Sequence, residues 1–203
     1  MANKPKIQYI PLGTRCSAAF VFQDNLRVRT ASYAFDWVDA PIWNFKKFIT
    51  IDKKDIDTFL TQYFSEIKLN EQRHPDGSYY PHDFYPTDQV FDMLNTVKDK
   101  YIRRLERVHE AMDSEDTKVF LTCIDKCNET NIQPYNELCD AIKAKSKGVC
   151  IFISVNIKNE SVYMFDNKYN LYIERNPDDA QFKLWESHIA IEIARNENLK
   201  QYF

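Results

Sequence analysis

The segment Ile7-Gln8-Tyr9-Ile10-Pro11-Leu12-Gly13-Thr14-Arg15-Cys16-Ser17-Ala18-Ala19-Phe20 holds a strand, a glycine stop and a helix start in close succession. The apolar and β-branched run Ile7 to Leu12 predicts a strand. Gly13 ends it, and a short apolar pattern from Cys16 to Leu26 predicts a buried helix. One thiol therefore falls at a helix N-terminus, just past the carboxyl end of a strand. A helix N-terminus carries about half a positive charge and unpaired N–H groups, and both favour thiolate over thiol. The alternative for Cys16 is a small buried hydrophobe that packs at a helix start.

Outward from this segment the chain alternates. The irregular stretch Thr30 to Val38 comes first, then a helix over Pro41 to Ile49 with proline in its first turn. A helix from about Lys54 follows, with Ile56, Phe59, Leu60, Tyr63 and Phe64 on one face. The loop Arg73 to Pro86 is rich in proline, tyrosine and histidine. Thr87 suits the N-cap of a long helix whose apolar positions run from Val90 to Met112. A strand over Val119 to Ile124, a helix over Gln133 to Lys145 and a strand over Val149 to Val155 come next. Short strands over Ser161 to Phe165 and Leu171 to Glu174, separated by Asp166-Asn167-Lys168, predict an antiparallel hairpin. The last helix spans Asp179 to Arg195, with Phe182, Trp185, Ile189 and Ile193 as its buried side chains.

Strands separated by long helices imply a mainly parallel sheet. The expected fold is α/β: a three-layer sandwich with a mainly parallel central sheet and a C-terminal antiparallel hairpin, in one domain over residues 1–203. In such sheets, sites sit beyond the carboxyl ends of the strands. Cys16 and Asp125 both occupy that kind of position.

Composition removes several classes of function. The chain has 203 residues, 44% hydrophobic and 14% aromatic, enough for a substantial aromatic core. With only 3 glycines it has no glycine-rich phosphate loop. A net charge of −3 with interspersed signs argues against nucleic acid as the main partner. No apolar run approaches a membrane span. Met1-Ala2-Asn3-Lys4-Pro5-Lys6 lacks the apolar core of a signal peptide, which predicts a cytoplasmic, reducing setting. The 5 cysteines lack zinc-knuckle spacing, so no metal or other cofactor is expected. Cys139 shares a helical face with Tyr135, Leu138 and Ile142, and Cys150 falls in an apolar strand. Both read as core.

A thiol nucleophile needs a base, and the base an orienting group. Of the 4 histidines, His109 reads as solvated on the long helix, His188 as a structural partner in the last helix, and His74 as an exposed turn residue. His82, in Tyr79-Tyr80-Pro81-His82-Asp83-Phe84-Tyr85, is held by aromatic neighbours and is the best candidate base. Its alternative is a histidine bonded to a backbone carbonyl. Asp36, between Phe35 and Trp37, is a buried carboxylate that needs a cation or donors. It could orient His82 or pair with Arg15, Arg29 or Arg103. Arg15 could lower the thiol pKa, and the N–H groups of Cys16 and Ser17 could hold an oxyanion. Asp83 reads as support. The Arg103-Arg104-Leu105-Glu106-Arg107 cluster reads as a solvated face.

Four segments in order then carry a resemblance: Leu12-Gly13-Thr14-Arg15-Cys16, Ser32-Tyr33-Ala34-Phe35-Asp36-Trp37, His82-Asp83-Phe84 and Arg103-Arg104-Leu105-Glu106-Arg107. Over roughly the first 125 residues the chain resembles the papain-like cysteine peptidase family of the domain of unknown function DUF1796, from bacteria and large DNA viruses. Ala34 departs from it, standing where that family favours proline. The resemblance implies a thiol hydrolase with Cys16 as nucleophile and His82 as base, and a papain-like α+β fold in place of the α/β order read from the strands. Papain-like sites also place a glutamine shortly before the cysteine, and Gln8 is the one nearby.

The leading expectation is a cysteine-dependent hydrolase, peptidase- or amidase-like, acting on an amide, isopeptide or ester in a peptide, protein or small acyl substrate. Cys16, His82 and Asp36 carry the chemistry, supported by Ser17, Arg15 and Asp83. The alternative is a non-catalytic domain that binds peptide, glycan or protein through Tyr79 to Tyr85. The third reading is a carbohydrate-modifying enzyme using carboxylates such as Asp36 and Asp125.

Overall fold

A computed structural model describes residues 6–13, 16–85, 90–124, 129–157, 169–173 and 182–203. Four strands form one sheet in the order β1-β2-β3-β4: β1 (Ile7–Pro11), β2 (Thr117–Ile124), β3 (Cys150–Ile157) and β4 (Tyr169–Ile173). All three pairings are parallel. Ile10 sits opposite Phe120, and Phe120 opposite Phe152. The last two rings stack with centroids 5.1 Å apart.

Strand alternation sends side chains to two separate cores. Ile10, Leu12, Phe120 and Phe152 face one core. It is covered by α2 (Ile42–Thr50), α3 (Ile56–Ser65), α4 (Val90–Asp113) and α5 (Glu129–Lys145). Tyr9, Val119, Leu121, Cys123, Ile153, Val155 and Leu171 face the other. It is covered by α1 (Ser17–Phe20), the π-turn that continues it over Val21–Asn25, and α6 (Phe182–Arg195). The molecule is therefore α/β with helices on both faces of a parallel sheet, rather than the papain-like α+β alternative.

Several expectations need correction. β4 joins the sheet parallel to β3, and the strand expected at Ser161 to Phe165 as its antiparallel hairpin partner lies outside the described residues. The helix expected from Cys16 to Leu26 keeps α-geometry only to Phe20. Beyond it the chain widens into a π-turn, in which the Leu26 amide donates to the Val21 carbonyl at 2.9 Å. α5 begins at Glu129, ahead of the expected Gln133, and keeps Pro134 inside it. Thr87 and Asp88 lie outside the described residues.

The β1 exit is shaped by close packing. Pro11 ends an edge strand, where a missing N–H leaves no gap in the ladder. Leu12 then donates to the Leu121 carbonyl at 2.8 Å. The Phe45 ring of α2 lies so close to Gly13 that a Cβ there would sit 2.2 Å from its Cζ. Only glycine lets the chain leave the sheet at this point with Phe45 in place.

Candidate functional site

Cys16 opens α1 just beyond the carboxyl end of β1. Its carbonyl accepts the amides of Ala19 and Phe20 at 3.0 and 3.2 Å. Its thiol makes no capping hydrogen bond to the helix and is half-buried. The first turn of a helix leaves its leading N–H groups without intrahelical acceptors, here those of Ser17 and Ala18.

Cys16 and His82 line one cavity of about 430 Å³. Its walls also include Ser17, Phe20, Trp37, Asp39, Tyr79, Pro81 and Glu186. Four parts of the chain supply these residues: the start of α1, the loop through Trp37 and Asp39, the loop through His82, and α6. A two-way bridge joins the two loops. Asp39 donates to the Tyr79 carbonyl at 3.1 Å, and Tyr79 donates to that of Asp39 at 2.7 Å.

An aromatic wall runs through the cavity. Phe20 meets Trp37 edge-on at 5.0 Å, and Trp37 meets the His82 ring edge-on at 5.7 Å. His82 is exposed on its other side. It also lines a second, smaller cavity of about 270 Å³ with Asp83, Tyr85, Met93 and Lys100.

Asp83 anchors the base's loop rather than touching the thiol's cavity. Its buried carboxylate pairs with Lys100 and accepts the Tyr101 hydroxyl at 2.7 Å, fastening residue 83 to α4. On the chain's other side, Tyr80 is fully buried and donates to the Tyr63 hydroxyl at 3.0 Å. His82 thus sits on a short tether fixed at both ends.

Asp36 is fully buried, and it is not in the cavity wall. Its Oδ2 pairs with Arg29 and accepts the Tyr33 amide at 2.9 Å. Burial raises its pKa to about 6, although Arg29, the Tyr33 amide and Arg104 all favour the carboxylate. Of the arginines considered, Arg29 is the partner. The carboxylates that do line the cavity are Asp39 and Glu186. Sequence reasoning missed both. Glu186 stands at i, i+3, i+4 and i+7 with the buried Ala190, Ile189 and Ile193 on α6, so a carboxylate on an apolar face was its readable signal.

The other site residues fall as follows. Ser17 is buried in the cavity wall. Arg15 and Asp125 lie outside the described residues. Gln8 is no oxyanion donor: its amide donates to Asp116 at 2.8 Å and its carbonyl accepts the Tyr33 hydroxyl at 3.1 Å. Cys123 and Cys139 are buried, and Cys150 is half-buried. His74 is buried, not exposed, stacked on Tyr63 at 3.8 Å with its Nδ1 accepting the Asp76 amide at 3.1 Å. His109 is buried as well, and burial lowers its pKa. His188 is exposed, where a structural partner in the last helix was expected. Of the three arginines in that cluster only Arg103 is exposed; Arg104 is buried beside the Tyr101 ring, and Arg107 is half-buried and donates to the Ser32 carbonyl.

Among the described residues, no group of His, Cys, Asp and Glu side chains is placed to hold a metal ion. None of the described helices is long and apolar enough to cross a membrane.

The chain is 27% identical over 212 residues to "Uncharacterized protein R408" of Acanthamoeba polyphaga mimivirus, an alignment covering 88% of this chain and 92% of that protein. No family model matches the chain. No solved structure matches it either.

Proposed function

We propose that this protein is a cysteine-dependent hydrolase or acyl-transfer enzyme, with Cys16 as nucleophile and His82 as general base. The observation that carries this is their shared cavity at the carboxyl end of β1. The resemblance of four segments to the DUF1796 papain-like peptidases points to the same pair.

The chemistry follows from the residues. His82 takes the thiol proton, and the Cys16 sulfur adds to the carbonyl carbon of an amide, isopeptide or ester. The N–H groups at the start of α1, with Ser17 foremost, stabilise the developing oxyanion. His82 then protonates the leaving amine or alkoxide, and the C–N or C–O bond breaks to leave a thioester. A water that gives its proton to His82 adds to that thioester. The C–S bond breaks, the acid leaves, and Cys16 regains its proton. The described cysteines are not joined in disulfides, which suits the reducing, cytoplasmic setting that we propose for this reaction.

The test is the rate of Cys16 alkylation by iodoacetamide against pH, read by mass spectrometry of the modified peptide. The expected result is a reaction at neutral pH faster than that of free cysteine, with the advantage lost in His82→Gln. A thiol no more reactive than free cysteine, and indifferent to His82→Gln, refutes the proposal.

A second reading, a binding domain for peptide, glycan or protein, draws on the aromatic wall of Phe20, Trp37 and Tyr79. It predicts ordinary Cys16 reactivity in the same experiment. The carbohydrate reading loses ground because Asp36 is tied to Arg29 away from the cavity.

A further inference from the structure

Arg29 bonds to several groups beside the site, yet it does not line the cavity. Its Nε donates to the Ala31 carbonyl at 2.9 Å. One Nη donates to the Ser32 hydroxyl at 2.9 Å and pairs with Asp36. The other Nη donates to the Gln23 side-chain carbonyl. The guanidinium carbon also stands 5.7 Å from the centre of the Trp37 ring.

These partners belong to two pieces of the site. Gln23 lies in the π-turn that continues the helix opened by Cys16. Ala31, Ser32, Asp36 and Trp37 belong to the loop whose indole contacts the His82 ring. The approach to Arg29 is built as well. Arg27 takes a left-handed conformation, φ 56°. The amides of Val28 and Arg29 then both donate to the Phe22 carbonyl, at 2.9 and 3.2 Å. An L-residue adopts that conformation at a cost unless its surroundings demand it.

We infer that Arg29 is a positioning residue, a clamp joining the Cys16 helix to the Trp37 loop and so setting where His82 stands relative to the thiol. The inference rests on the Cys16–His82 reading. A planar guanidinium is the group this needs. It presents five donors in a rigid fork and a flat face to the indole, whereas an ammonium has three donors at a point and no plane. The arrangement also explains the burial of Asp36, which holds the fork from within the loop while the tryptophan covers it. Thiol–imidazole chemistry is steep in geometry, and a displacement of about 1 Å can cost a hundredfold in rate.

The experiment compares Cys16 alkylation against pH in the wild type, Arg29→Lys, Gln23→Met and His82→Gln. Two-dimensional NMR of the His82 ring nitrogens and the emission of Trp37, read in a Trp43→Phe, Trp185→Phe background, are recorded alongside. Arg29→Lys keeps the charge facing Asp36 but loses the fork. Gln23→Met cuts only the exposed link to the π-turn, so folding is not at stake. The expected result is a loss of about tenfold in the His82-dependent rate for Arg29→Lys and a smaller loss for Gln23→Met. The His82 ring signals and Trp37 emission move in both. The clamp is overturned if the wild-type thiol is accelerated through His82 but neither variant changes the rate or the His82 signals. If the wild type shows no His82-dependent acceleration, the Cys16–His82 reading itself fails. The ring signals and Trp37 emission still decide whether Arg29 links the two pieces.

Discussion

Replacing Gly13 with alanine puts one methyl group where the Phe45 ring already stands. The added Cβ would lie 2.2 Å from Cζ of Phe45, 2.8 Å from Cε2 and 3.0 Å from Cε1. Carbon atoms sit comfortably at about 3.5–4.0 Å, so the ring must retreat by roughly 1 Å or more. It has little room to do so. Phe45 is buried and packs on Phe35 with centroids 4.7 Å apart, and Phe35 in turn meets Phe48 at 6.0 Å. Overpacking of this kind costs about 1–3 kcal/mol, and the depth of the overlap argues for the upper half of that range. For a chain of this length each kcal/mol lowers Tm by about 2–4 °C. The assay is a double-mutant cycle by urea unfolding with Gly13→Ala, Phe45→Leu and the pair. Phe45→Leu alone leaves a small cavity and costs on the order of 1–2 kcal/mol. In the double variant the smaller side chain frees space for the methyl group, so the pair should cost about 1 kcal/mol or more less than the sum. Strict additivity, or a Gly13→Ala cost below about 0.5 kcal/mol, would refute the argument that this contact makes glycine obligatory.

Three further expectations follow from the same geometry. Asp36 has a folded pKa of about 6 against an ordinary 3.8, so its contribution to stability is fully present below about 4 and is lost as pH rises through 6; acidification from pH 7 to 5 should therefore shift Trp37 emission, as Arg29 loses its counter-charge, without unfolding the chain through this group. In a His82→Gln background the midpoint should lie near pH 6, and a transition that persists in Asp36→Asn would assign it elsewhere. Gly148→Ala should destabilise by more than about 1 kcal/mol, because φ is +66° and the new Cβ would stand 2.6 and 2.7 Å from the carbonyl oxygens of Glu115 and Asp116; a thermal melt checks it. Asp83→Ala leaves the Lys100 ammonium and the buried Tyr101 hydroxyl without their carboxylate, with an expected cost of about 3 kcal/mol in urea unfolding and a slower Cys16 alkylation, since residue 83 anchors the loop of His82.

Local pattern was enough for most of the elements. The apolar face of Tyr135, Leu138, Cys139 and Ile142 is buried as its periodicity required, and Ile189 and Ile193 are buried on α6. The β1 run and the thiol after it were also readable, because each depends on residues adjacent in the chain; that Gly13 must be glycine was not, because the Phe45 ring of α2 imposes it. The α/β alternation followed from strand and helix lengths alone. Local pattern could not reveal which charged groups meet. Asp36 had several arginines within plausible reach, and only the closed loop from Arg29 to Trp37 decides for Arg29. His74 and His188 exchanged their expected exposures because the exposure of a polar ring depends on what the rest of the chain lays over it, here Tyr63 over His74. The parallel direction of β4 likewise depends on how the chain returns to the sheet, which no hydropathy pattern encodes.

The sequence by itself determined most of the elements, their order, and a thiol at the junction of β1 and α1, because hydrophobic periodicity acts over a few residues. Only the tertiary structure decided that His82 and Glu186 share a cavity with Cys16 while Asp36 stands apart from it. Contacts between residues far apart in the chain are set by the packing of α1 and α6 on one face of the sheet and of α2 to α5 on the other, and that packing depends on all of the side chains together.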